Sequence, residues 1–203
     1  MIDWINKTTR KLPTWPLYIG AALYPAWLFW LALNGGLGID PVKGLEHAMG
    51  EKALQLLILG LAITPLRKHL GLNLLKFRRA IGVIAFFYVF AHLLVWLVLD
   101  VQLLGQIWAD IVKRPYITVG MGAFVLMLPL AVTSNNWSVR RLGPRWRKLH
   151  KLTYAVCLLG GLHFVMLVKG FQLEPLLYLG SIILLLALRI KRPKPSRVRQ
   201  SAS

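Results

Sequence analysis

Acidic residues are scarce in this sequence: seven Asp and Glu stand against 25 Lys and Arg in 203 residues, for a formal net charge of +18. Cysteine is scarcer still, with Cys157 alone. A single thiol excludes an intrachain disulfide framework and a cysteine zinc site. Charged residues of both signs make up 16% of the chain, below the share of about a quarter usual for a soluble domain. No G-x-G-x-x-G follows a strand-like run, and no soluble stretch is long enough for a flavin or nicotinamide dehydrogenase domain. A strongly basic chain raises the question of nucleic acid. Here, however, the cations sit between apolar blocks, with no nucleic-acid-binding motif beside them, so no nucleic acid is expected as partner.

What the chain has in abundance is apolar residues, 57% of the total. They come in blocks of the length a bilayer core demands, about 18 or more residues at roughly 1.5 Å of helical rise each. The expected fold class is an all-α integral membrane protein with six transmembrane helices. The first five spans are Trp15–Leu33, a helix from Pro41 to Leu66, Ala80–Leu99, Ile117–Thr133 and Leu149–Val168, and the sixth is Pro175–Leu188. Asp40-Pro41 reads as an N-cap followed by proline at the first helical position, which lengthens an otherwise short second span. Residues 102–113 carry apolar side chains at helical spacing, a pattern that suits an interfacial amphipathic helix or a plain connector. The cluster Lys7, Arg10 and Lys11 before the first block imitates a signal peptide. No small-residue cleavage site follows, so the helix is expected to be retained. No internal repeat, low-complexity tract or second domain is visible.

Charge between the spans orients them. The N-terminus, the second and fourth connectors and the C-terminal tail hold 20 of the 25 basic residues, and the other side holds six of the seven acids. By the positive-inside rule both termini are cytoplasmic, N-in and C-in. The domain division is then a cytoplasmic N-terminus 1–14, a transmembrane domain 15–188 and a basic tail 189–203 that meets anionic membrane lipid.

Intramembrane ionisable groups are functional candidates by default. Asp and Glu are absent from the apolar centres of the six blocks, which argues against proton pumps and cation-coupled transport. Histidine remains: His92 in the third span, His150 and His163 on the fifth. His92 and His163 lie equally far along two helices that start inside and run outward, so their imidazoles share a depth in the outer half of the membrane. Two neutral imidazoles facing each other across an apolar bundle suit haem iron. Either could instead be an interhelical hydrogen-bonding group. Gly160 and Gly161, just before His163, would let a flat ring approach the backbone. His150 lies 13 residues before His163, about 20 Å along a straight helix and on a different face. It is either part of a second cofactor site near the cytoplasmic side or a loop-end histidine. Arg78-Arg79 occupy the position where a partner ligand would stand. These arginines and Arg147 could hold haem propionates, a quinone or a flavin phosphate. His47 and His69 are expected at the interfaces, and Cys157 in the packing.

Histidines at 92, 150 and 163 on spans in this order resemble the ferric-reductase-like transmembrane domains. Nearly the whole chain is similar to the MsrQ (YedZ) family, through NGGLGIDPVKGLEHAMGEKAL (34–54), ITPLRK (63–68), RRAIG (78–82), AHLLVW (91–96), KRPYITVG (113–120) and LGPRWRKLHKLTYAV (142–156). The resemblance implies a ferric-reductase-like haem-binding bundle in the bacterial inner membrane. It implies b-type haem, one more readily than two, with His92 and His163 as ligands and His150 as third functional histidine. It further implies flavin mononucleotide (FMN), and electrons from the quinone pool or a cytoplasmic flavin reductase. The acceptor would be a periplasmic molybdopterin methionine sulfoxide reductase that repairs oxidised envelope proteins. Such a chain is a redox subunit of an oxidoreductase system without the substrate-reducing site itself. Asp100, Asp110, Glu46 and Glu51 would help to dock the acceptor. Two rival classes stand beside this one, a small transporter or channel and a non-redox membrane anchor for a partner enzyme.

Overall fold

A computed structural model describes residues 2–168 and 170–189. Most of the basic tail expected to meet lipid lies outside the described residues, as does Lys169. Among the described residues the chain is helical, without strands. An amphipathic helix, α1 (Ile2–Lys11), lies within the N-terminal segment 1–14. Asn6 ties α1 to the connector beyond the third helix. Its Nδ2 donates to Gly71 O at 3.0 Å, and its Oδ1 accepts from Asn73 N at 2.8 Å.

Among the described residues five helical stretches are long and apolar enough to cross a membrane. The first is α2 (Trp15–Leu33) and the second α3 (Pro41–Leu70), which starts where the Asp-Pro pair says it should. Asp40 Oδ1 accepts from Lys43 N at 3.1 Å, and Gly71 closes the helix in the left-handed conformation that spares glycine a steric penalty. The third stretch runs from a 3₁₀ turn at Leu75–Phe77 through α4 (Arg78–Leu94) into a π-helical segment, Val95–Val101. An amphipathic helix, α5 (Leu104–Lys113), follows, and then α6 (Pro115–Val132). Two short helices, α7 (Asn136–Leu142) and α8 (Pro144–Leu149), lead into α9 (Leu152–Leu167). The segment expected as a sixth span forms α10 (Leu173–Ala187), whose 15 residues reach about 22 Å, short of a bilayer core of about 30 Å.

Backbone groups in hydrocarbon need partners within the protein, and helices supply them internally. The helices then pack in two antiparallel pairs, α3 with α4 and α6 with α9, while α2 and α10 lean on the outside. Leu57, Leu61, Ala85, Met127, Val156, Cys157 and Ile182 fill the seam between the pairs, so the lone cysteine is packing as expected. A second cluster around Leu28, Met49, Ile84 and Tyr88 joins α2 to the first pair.

Leu61, 1% exposed, and Leu59, 43% exposed on the same helix, test this division. Leu61→Ala should cost about 2–5 kcal/mol through lost packing and a cavity, and Leu59→Ala well under 1 kcal/mol, read from unfolding in detergent. Equal losses at both positions would contradict the seam.

Candidate functional site

His92 lies near the end of α4, and His163 near the end of α9. The pairing of the hairpins brings them face to face, with ring centroids 6.2 Å apart and ring planes at 80°. Each imidazole reaches across to the other helix of its own pair. His92 Nδ1 is 2.9 Å from the Glu46 carbonyl on α3, and His163 Nδ1 is 2.7 Å from the Tyr116 carbonyl on α6. A carbonyl only accepts, so each Nδ1 carries the proton and each Nε2 keeps a free lone pair.

Between the pairs lies a cavity of about 560 Å³ that both histidines line, a size usual for a cofactor site. Leu54, Leu57, Phe124, Met127 and Phe164 make its walls apolar. Lys43, Glu46, His47, Asp100 and Arg114 also line it, a polar set drawn from the N-terminal end of α3, the π segment and the residue that opens α6. The π segment carries Trp96 and Asp100 into this lining, as π turns often do beside functional sites.

These residues fit haem. Two imidazole nitrogens, each about 2 Å from one metal ion, put their ring centroids roughly 6 Å apart, which is the separation found. The Nδ1–H to carbonyl bond is the usual outer partner of a ligating histidine. A flat apolar macrocycle matches the walls, and its carboxylates match Lys43 and Arg114. Among the described residues no group of three or more His, Cys, Asp or Glu side chains could hold a bare metal ion.

His150 is not brought to this cavity. Its Nε2 is 3.0 Å from Thr133 Oγ1, and its ring stacks on Trp146 at 3.9 Å between centroids. It lines a second cavity of about 540 Å³ together with Lys76, Arg78, Arg79, Arg147 and Lys151. Leu57, Met127 and Val156 line both cavities, a common wall of single side chains. Phe124, from the first lining, stacks on Phe86, from the second, at 6.0 Å and 8°.

Two residues sit differently from the sequence expectations. His47 lines the main cavity, 5.7 Å from the Phe164 ring, instead of only facing head groups. Gly161 does not admit a ring: a Cβ there would meet Ile182 Cδ1 at 2.9 Å and Leu179 Cδ1 at 3.0 Å, so this glycine seats α9 on α10. Glu51 stands about level with the imidazoles, since its neighbour Gly50 lies against the His92 ring. Lys52, next in the chain, is drawn to the same level and donates from Nζ to Gln55 Oε1 at 2.8 Å. Gln55 Nε2 donates to Glu51 Oε1 at 2.7 Å, and Tyr178 OH donates to the same oxygen at 3.0 Å. Those bonds make a carboxylate tolerable at imidazole depth, where hydropathy alone excludes it. His69 is exposed at the end of α3, as expected.

The profile of the ferric reductase like transmembrane component matches residues 49–161, which include Gly50, His92 and Gly120 and stop two residues before His163. A protein-methionine-sulfoxide reductase heme-binding subunit MsrQ of Agrobacterium fabrum is 52% identical over 190 residues, 93% of this chain and 88% of the relative. MsrQ of Rhizobium meliloti is 49% identical over 190 residues, 93% and 88% of the two chains, and that of Brucella anthropi 47% over 191 residues, 93% and 87%. The chain belongs to the MsrQ family. No solved structure matches.

In this MsrQ-family chain Thr133→Val removes the hydroxyl that faces His150 and leaves a partly buried ring nitrogen without a partner. A loss of about 1–3 kcal/mol is expected in detergent unfolding, and none in the double variant relative to His150→Phe alone.

Proposed function

We propose that this chain is the membrane electron-transfer subunit of a methionine sulfoxide reductase, with b-type haem held by His92 and His163. The observation that carries the reading is the pair of facing imidazoles, 6.2 Å apart, each with Nδ1 against a helix carbonyl. The name shared by the relatives, a heme-binding subunit of that reductase, supports it. Haem held here by His92 and His163 would supply a one-electron carrier whose potential would depend on those ligands and on the apolar walls.

The residues of this chain do the rest. His92 and His163 would hold the group through Nε2, and Leu54, Phe124 and Phe164 would exclude water. The six-span arrangement with both termini inside, α10 counted as the sixth, puts this cavity toward the periplasm of a bacterial inner membrane. There it would hand electrons to a docked molybdopterin-containing reductase subunit, which reduces methionine sulfoxide in oxidised envelope proteins. The second cavity is the donor side. Arg78, Arg79 and Arg147 suit an anionic head group, whether the phosphate of FMN or the carboxylates of a second haem, and the apolar floor suits the ring of a quinone. Electrons from quinol, or from a cytoplasmic flavin reductase, enter there near His150. The wall that the two cavities share, with Phe86 and Phe124 stacked beside it, leaves a short path between them.

Reduced-minus-oxidised absorbance of the detergent-purified chain, with haem quantified per chain, tests this. A b-type spectrum is expected in the wild type. In His92→Ala and in His163→Ala bound haem should fall on the order of tenfold or more. His150→Ala should keep the haem of the main cavity, while its reduction by added quinol slows. A wild type without haem after ample haem supply, or one whose spectrum survives both substitutions, overturns the reading.

A further inference from the structure

We infer that Gly50 and Gly120 are positioning residues: each opens a notch on its helix in which the facing imidazole is oriented and its ligating nitrogen chosen. The inference rests on the haem reading above and deepens it. Two observations that are independent in the chain agree. A Cβ on Gly50 would have His92 Nδ1 at 3.1 Å and Cε1 at 3.2 Å as its nearest atoms. A Cβ on Gly120 would have His163 Nδ1 at 2.8 Å and Cε1 at 3.0 Å. In both cases the three nearest atoms belong to the imidazole, so these glycines serve the ring and not the general approach of two helices. Gly161, which meets Leu179 and Ile182, shows what the other case looks like, and Gly122, on the same helix as Gly120, meets nothing within 4 Å.

The carbonyls explain the placement. His92 faces the carbonyl of Glu46, four residues before Gly50, and His163 that of Tyr116, four residues before Gly120. A helical side chain leans toward the N-terminus and covers the turn before it. A side chain at position 50 or 120 would therefore shield the carbonyl that the imidazole needs. Each of those carbonyls already takes a helical N–H and has a second lone pair for the ring. With Nδ1–H committed to it, Nε2 is the nitrogen left to ligate, and the bond raises its basicity. The direction of each bond also holds its ring plane, and the two notches, on helices from different pairs, leave the planes at 80°. The device occurs twice, as carbonyl, glycine and histidine at 46, 50 and 92, and again at 116, 120 and 163.

The test uses the full-length haem-loaded protein. Gly50→Ala, Gly120→Ala and Gly122→Ala are compared with wild type by low-temperature electron paramagnetic resonance (EPR) of the oxidised state, redox titration and haem titration. Gly120→Ala, the tighter notch, should displace the low-spin signal, raise the midpoint potential as the Nδ1 bond weakens, and lower haem affinity by about tenfold or more. Gly50→Ala should shift all three in the same direction by less, and it decides the matter if Gly120→Ala does not accumulate. Gly122→Ala should match wild type. Wild-type signal and potential in both notch variants, or the same shifts in Gly122→Ala, overturn the inference and leave the haem reading standing. A wild type without haem, or with haem indifferent to His92→Ala and His163→Ala, overturns the reading beneath it.

Discussion

An imidazole placed between membrane helices must put its N–H somewhere, because hydrocarbon offers no acceptor and an unsatisfied polar group there costs several kcal/mol. In this protein each of two imidazoles gives that proton to a helix carbonyl that is already in use. The requirement reaches outward through the fold. It draws α4 against α3 and α9 against α6, it asks for a residue without a side chain on the receiving helix, and it leaves both rings lining the same space. The cavity is what two such pairs enclose when they meet.

The rest of the molecule is arranged around that enclosure. Bulky residues such as Leu61 and Ile182 close the seam below the cavity, while Gly161 lets α10 come in close beside it. Lys43 and Arg114 stand at the ends of α3 and α6 that face the same way, where cations can reach water while their stems stay against the protein. At the far end Arg78, Arg79 and Arg147 form a basic rim to the second cavity. The same cations that orient the chain in a membrane by the positive-inside rule thus also line a place for an anionic group. One set of residues meets both demands because each needs positive charge at the same end of the spans.

Much of the fold was legible in the residues. The boundaries of α2, the Asp40 cap of α3 and the amphipathic α5 follow from hydropathy and local capping chemistry, which act over a few residues and are little altered by the tertiary fold. The pairing of His92 with His163 was legible as well, since equal distances from the basic ends of two parallel helices mean equal depth. Depth could not say which way the rings turn. Of the two glycines just before His163 in the chain, Gly160 does line the main cavity, whereas Gly161 packs against α10. The glycines that the imidazoles themselves lie against are Gly50 and Gly120, far away in sequence, because the surface an imidazole packs against belongs to its neighbour helix. The support around Glu51 was hidden for a related reason. A hydropathy window weighs a carboxylate against lipid and cannot see Gln55 and Tyr178 donating to it.

The sequence by itself determined that the chain is helical and built for a membrane, which ends of its spans are basic, and which histidines share a level. Those properties are sums over local residues and the depth they impose. Only the tertiary structure decided that the helices meet as two pairs, that each imidazole lies over a glycine and bonds a carbonyl, and that His150 belongs to a separate cavity with Thr133 and Trp146. Those properties depend on the rotation of each helix about its own axis. For spans apolar on every side, hydropathy leaves that rotation open, and it is set by the side chains that interlock between the helices.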